Sequence, residues 1–340
     1  MSLISHSNGF TTKEPKRRFS FKFIFKAISI LTILTITIGL TANMLITSRN
    51  EDKLVKDDMY VTIDDKKNYY NIENGDAPTI IFESSSGMGV SQWDNARELL
   101  KDEYGISSFA YDRDGFGLSD FLKEQTPEEQ AKELKLILRK VALNGPFILV
   151  SEGYGSLIMT NFAKLYPELV KGIILISPIN EESLGNTNYY KYFESEKISR
   201  KLNIFGSYLG INNLIDKCVG LDSPSGLDEY LSEDDFNNYK MLRPTTDFNK
   251  AYYAELENIL NRSSISQVDG MFKDIPYVIV TNNQNKAEQS AMKSLGNGDN
   301  TKIIDSNSDS KIIALEKPEL ILEAITYILN NLSFKESSNT

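Results

Sequence analysis

Phe147-Ile148-Leu149-Val150-Ser151-Glu152-Gly153-Tyr154-Gly155 passes from four apolar residues into two glycines spaced one residue apart. The apolar run predicts a short buried strand over 147–150. The glycines predict a tight turn that feeds a helix over 156–165. The same rhythm continues on both sides. Downstream, 172–176 reads as the next strand. Upstream, Thr126-Pro127-Glu128-Glu129 is a capping box with proline at the first helical position, opening a helix to about residue 142. Earlier still, 79–82 and 107–111 read as short buried strands with a helix over 92–100 between them, and 60–63 with 69–72 reads as a hairpin. Near the C-terminus, strands are expected at 277–281 and 301–304, followed by a helix over 318–332. Strands separated by helices predict an α/β fold with a doubly wound, mostly parallel sheet. Its core would be built from 60–179 and 275–332. The intervening 180–274 lacks the strand rhythm, carries eight tyrosines, and reads as a helical cap over the carboxyl ends of the strands, where open α/β sheets bind ligands. Residues 333–340 form a polar tail.

Charge is unevenly placed along the 340 residues, whose net charge is −10. Residues 1–26 carry Lys13, Lys16, Arg17, Arg18, Lys22 and Lys26 against Glu14, while 27–46 are uncharged and mostly apolar. Twenty helical residues reach roughly 30 Å, the thickness of a bilayer's hydrocarbon core. A basic segment before the run, with Glu51, Asp52, Asp57 and Asp58 after it, predicts a single-pass transmembrane helix in the cell membrane. Its N-terminus would be cytoplasmic and its folded domain extracytoplasmic, joined by a linker over 47–59. The length of the leader and of the apolar run favours an anchor over a cleaved signal peptide. The acidic remainder argues against a nucleic-acid partner. Cys218 is the chain's single cysteine, which excludes an intrachain disulfide, gives no zinc pattern, and reads as a packed cap residue. The single histidine, His6, precedes the apolar run.

Three further stretches carry a resemblance. Phe82-Glu83-Ser84-Ser85-Ser86-Gly87-Met88-Gly89 followed by Trp93 resembles the strand-to-loop segment that supplies an oxyanion-hole amide in α/β-hydrolases. Tyr111-Asp112-Arg113-Asp114-Gly115-Phe116-Gly117-Leu118-Ser119-Asp120 is similar to that family's Y-D-R-x-G-x-G-x-S-D turn, and Leu315-Glu316-Lys317-Pro318-Glu319 to the stretch after its catalytic histidine. The resemblance makes the 147–155 stretch the nucleophile elbow. It implies an α/β-hydrolase sheet with a cap, and a Ser-His-Asp triad in active members.

Carried over position by position, the resemblance places the nucleophile at Gly153, the acid near Asn285 and the histidine at Lys311. None of these can perform its triad role. The chain therefore reads as a pseudo-hydrolase, with no cofactor or metal, that binds a small molecule or a protein partner. Gly153, Tyr154, Met88, Gly89 and Lys311 are expected to converge on a pocket suited to an anionic guest. The alternative is an esterase or amidase in which Ser151 is the nucleophile and a desolvated Lys311 its base. Glu152 and Asp112 read as solvent-facing or turn-stabilising, and Arg113 and Asp114 as holding the turn.

Overall fold

The computed structural model describes residues 21–53, 59–185, 187–212 and 226–338, so His6 and Cys218 lie outside the described residues. The first element, α1, spans Phe21–Lys53. Its segment Phe21–Gly39 is the helix, among the described residues, that is long and apolar enough to cross a membrane. The apolar stretch thus begins ahead of the expected residue 27. The hydroxyls of Thr32, Thr35 and Thr37 each donate to the carbonyl four residues back, at 2.8–2.9 Å. This satisfies them inside the helix, as a lipid environment requires. The helix also continues through 47–53, where a linker was expected. No glycine or proline interrupts the chain between Thr41 and Lys53.

Eight strands form one sheet in the order β1-β2-β4-β3-β5-β6-β7-β8. They are β1 (Tyr60–Ile63), β2 (Lys66–Glu73), β3 (Asp76–Glu83), β4 (Ile106–Tyr111), β5 (Phe147–Glu152), β6 (Val170–Ile176), β7 (Tyr277–Thr281) and β8 (Thr301–Asp305). The pairs β1–β2 and β2–β4 are antiparallel, and all pairs from β4 to β8 are parallel. Alternate residues of the central strands serve two separate cores. Ile81, Phe109, Leu149, Ile173 and Ile279 pack with Leu134 and Ile137 of α3 (Pro127–Lys140) and Leu157 and Ile158 of α4 (Gly155–Leu165). Phe82, Ala110, Val150, Ile174 and Val278 pack with Leu100 of α2 (Asp94–Tyr104) and, from the C-terminal helix, Ile321 and Ile325. Both faces are therefore dry, which is why these strands read as continuous apolar runs rather than alternating ones. The capping box at Thr126 and Glu129 forms as expected. The C-terminal helix runs over Pro318–Ser338 and takes up most of the expected tail.

Between β6 and β7 the described chain is helical: α5 (Thr187–Tyr208), α6 (Glu233–Leu242) and α7 (Thr246–Leu260). Ser232 and Thr245 cap α6 and α7 through their hydroxyls, which satisfies otherwise orphaned helical N–H groups. α5 packs along α7, with the Arg200 guanidinium 4.0 Å from the Tyr252 ring centroid.

Arg113 ties this helical layer to the sheet. Its guanidinium lies 2.5 Å from Glu83 at the end of β3 and 2.8 Å from Glu255 of α7, with all three side chains almost fully buried. It also donates to the carbonyls of Ser84 and Ser85. Burial disfavours the Arg113 charge, but Glu255 and Glu83 outweigh that and raise its pKa. Both carboxyls are pushed up by burial, against the pull of Arg113. Arg113 therefore does more than hold its own turn. Arg113→Met strands two carboxylates in the interior and is expected to destabilise the fold by about 3–5 kcal/mol. Urea unfolding of the full chain followed by circular dichroism measures this, and Glu255→Gln, which keeps a hydrogen-bonding partner, should cost less.

Candidate functional site

The position where the resemblance puts a nucleophile is Gly153, in a tight turn between β5 and α4. After β5, Gly153 adopts φ +56°, the left-handed region that costs a side chain energy and glycine nothing. Its N–H donates to the Ile176 carbonyl at 3.0 Å, and Ser156 Oγ donates to the Gly153 carbonyl at 2.7 Å, so the turn is held from both sides. A Cβ at Gly153 would lie 3.2 Å from Ser85 Oγ, a tight contact. The Tyr154 side chain turns into the interior, where its hydroxyl donates to Gln130 and accepts from Asn258. What Tyr154 offers the strand ends is its backbone.

Gly153 and Tyr154 border a cavity of about 130 Å³, together with Ser86, Asn285 and Lys311. The three positions at which the resemblance placed a triad therefore face one space. The cap contributes Tyr192, Glu196 and Tyr252 to its wall. The backbone N–H groups of Ser86 and Tyr154, both on this cavity, find no acceptor among the described residues. A carbonyl or carboxylate oxygen is the natural partner for two such donors. Met88 and Gly89 lie elsewhere. They border a second cavity of about 140 Å³ with Asp94, Asp112 and Asp235, and Met88 packs against Leu227, Leu231 and Leu315. The expected five-residue pocket is thus split, because the loop turns away after Ser86.

The Ser151–Lys311 dyad is not assembled. Ser151 is the penultimate residue of β5, paired with Glu83 and Leu175 on either side, and its fully buried Oγ has no hydrogen-bond partner. It does not border the cavity that Lys311 borders. Lys311 is about half exposed, and its ammonium lies 3.0 Å from Glu196. Burial pulls its pKa down, but Tyr192 and Glu196 outweigh this and leave it raised. A lysine held in its protonated form is a poor general base.

Glu152 is the residue that the sequence misplaced most. It is fully buried rather than solvent-facing, and its carboxyl accepts from Gln92 Nε2 at 2.7 Å and from the backbone N–H groups of Ile313 and Ala314. It pins the helical turn Ile313–Glu316, and with it the Lys311 loop, to the elbow. Burial drives its pKa up to about 8, despite the three donors that pull the other way. Asp112 is likewise buried and receives the N–H groups of Val90 and Leu118 at 2.7 and 2.8 Å, so it does stabilise its turn. Burial raises it to about 6.

A carboxyl that titrates near 8 when folded and near 4.3 when unfolded keeps its proton longer in the native state. Stability from that group is greatest at low pH and declines as pH rises toward 8. The thermal midpoint of the full chain in detergent should therefore fall between pH 6 and 8. Glu152→Gln should flatten that slope by on the order of 1–3 kcal/mol across the window. An unchanged slope would mean that Glu152 is already ionised at pH 6.

The geometry matches known proteins. A family profile described as alpha/beta hydrolase fold matches residues 78–287. The chain is 29% identical over 134 residues to YqjL of Bacillus subtilis (strain 168), a protein described as uncharacterized. That match covers 38% of this chain, and the chain spans about half, 51%, of that relative's length. Among solved structures, the Cif epoxide hydrolase from Acinetobacter nosocomialis superposes with a TM-score of 0.64 at 16% identity, covering 86% of this chain and 96% of that one. The enol-lactonase from Burkholderia xenovorans LB400 superposes with a TM-score of 0.58 at 15% identity, covering 80% and 99%. At such identities the structures speak for the fold alone. A parallel sheet with a glycine-bearing elbow, helices inserted between β6 and β7, and a profile match over most of the core place this chain in the α/β-hydrolase fold family.

Proposed function

We propose that the protein is a membrane-anchored pseudo-hydrolase, a non-catalytic member of its family that binds a small polar ligand over the elbow. The observation that carries this reading is the convergence of Gly153, Asn285 and Lys311 on one cavity. The space where a triad would work is kept open, yet Gly153 supplies no nucleophile there and no histidine borders it among the described residues. The free N–H groups of Ser86 and Tyr154 favour a ligand carbonyl or carboxylate. Lys311 adds positive charge, tempered by Glu196 beside it. That pair is largely solvent-screened, so a ligand anion can share the ammonium.

The apolar α1 supports an anchor, and the basic residues before it support a cytoplasmic N-terminus with the folded domain outside the cell membrane. Protease treatment of intact cells should then remove the domain and spare the N-terminal segment. A domain protected until the cells are lysed would reverse the orientation.

The full chain in detergent should neither hydrolyse p-nitrophenyl acetate nor take a stoichiometric label from a fluorophosphonate. Labelling at Ser85, whose hydroxyl lies beside the vacant elbow position, would overturn the non-catalytic reading. Binding can be followed by ligand-observed NMR with a panel of short-chain carboxylates. Lys311→Ala is expected to weaken a bound carboxylate about tenfold, the lower end for a charged hydrogen bond. Gly153→Leu should weaken it further by filling the floor of the cavity. If neither change alters the affinity of a binding carboxylate, the ligand sits elsewhere.

A further inference from the structure

The inner side of α5 packs on α7 and borders the cavity, through Arg200, Ser207 and Glu196. Its outer side is apolar and uncovered. Ile198, Leu202 and Phe205 follow one another at helical spacing and are 61%, 67% and 66% exposed, with Tyr208 51% exposed beside them. Four large apolar side chains along three turns of one helix exceed the scattered exposure that water-facing helices show. Leu209 and Gly210 continue that line, and there the helix end meets α1. A Cβ placed on Gly39 or Gly210 would collide with the backbone of the other, so the two chains cross at glycine contact distance. Gly39 lies in the C-terminal half of the uncharged, mostly apolar run 27–46.

These observations locate the stripe. It begins beside the C-terminal half of α1's apolar run and runs away from that point along the cap. We propose that the Ile198–Leu202–Phe205–Tyr208 face of α5 lies in the interfacial layer of the bilayer that α1 spans. The cap would then rest on the lipid surface with its cavity directly above. The proposal rests on the reading of α1 as a membrane anchor. Charge placement fits it. Lys201 is exposed next to the stripe, where a long ammonium side chain can reach lipid headgroups while its stem lies along apolar surface. The exposed Glu194 lies beyond Ile198, toward the end of α5 farthest from α1. The apolar side chains would meet the acyl boundary, and α1 would supply the tether that keeps a single modest helix face at the surface.

The single tryptophan of the chain, Trp93, is fully buried and provides a constant background. The full chain carrying Leu202→Trp or Phe205→Trp is reconstituted into phosphatidylcholine vesicles with and without brominated acyl chains. Leu136→Trp, on the exposed side of α3, serves as the control. Retention of the chain in the vesicle pellet after alkaline carbonate is scored in the same samples. The expected result is retention, with a loss of fluorescence in brominated vesicles for Leu202→Trp and Phe205→Trp but not for Leu136→Trp. A retained chain with no loss at either stripe position overturns the proposal and leaves the anchor standing. Equal loss at all three positions overturns it as well, because contact would not be confined to α5. A chain that washes off overturns both the anchor and the proposal.

Discussion

The Arg113 guanidinium is the contact on which the arrangement of the site depends. It reaches the sheet through Glu83, the cap through Glu255, and the loop after β3 through the carbonyls of Ser84 and Ser85. It also lies 5.6 Å from the ring centroid of Tyr154, the residue after the elbow. One buried cation therefore fixes both backbone segments whose N–H groups face the cavity, and the helix that roofs it. Such a cluster is weak evidence for stability, since burying charge costs about as much as pairing it returns. Its effect here is geometric. With five rigid donors, an arginine can hold three elements at set angles, which a lysine could not.

The fold was legible because its signals were redundant. Most strands of the parallel region carry an apolar run, as in β5, β6 and β7, and several turns between strands carry glycine or a capping box. Both faces of the sheet are covered, so a one-residue error in any strand would still have read as buried. The helix ends were less legible. α1 and the C-terminal helix both overrun their expected limits, because neither loss of hydropathy nor a polar composition ends a helix. Only a breaker or a competing cap does so.

The site was legible at the backbone and illegible at the side chains. Gly153, Asn285 and Lys311 could be placed around one cavity because the topology alone brings those strand ends together. Glu152 read as solvent-facing or turn-stabilising, because its partners cannot be named from its neighbours in sequence. Its partners Gln92, Ile313 and Ala314 lie 60, 161 and 162 residues away in the chain. The same holds for Arg113 and Glu255, separated by 142 residues. Met88 and Gly89 failed for the opposite reason. They are near in sequence to residues that do face the cavity, yet the loop reverses between them. An acidic residue closing a mostly apolar central strand is the signal that could have flagged Glu152, since charges in such places are buried only when paired.

A glycine at position 153 changes what the turn after β5 requires. An elbow serine must hold a strained left-handed backbone, a cost of order 1–3 kcal/mol that the rest of the fold has to offset. Glycine at position 153 adopts φ +56° without that cost. A carboxyl at position 152 then fastens the loop that would have carried the histidine, and that loop presents Lys311 instead. The substitutions act in one direction: strain is relieved, the cavity wall is pinned, and a fixed positive charge stands where a titrating imidazole would be. A scaffold merely losing its catalytic residues would be expected to collapse or fill the vacant space, because an unfilled site offers its lining atoms no packing partners. Here the space stays open between the cap and the strand ends, bordered by Ser86 and Tyr154, whose N–H groups find no acceptor among the described residues; such donors are stable only when water or a ligand accepts from them.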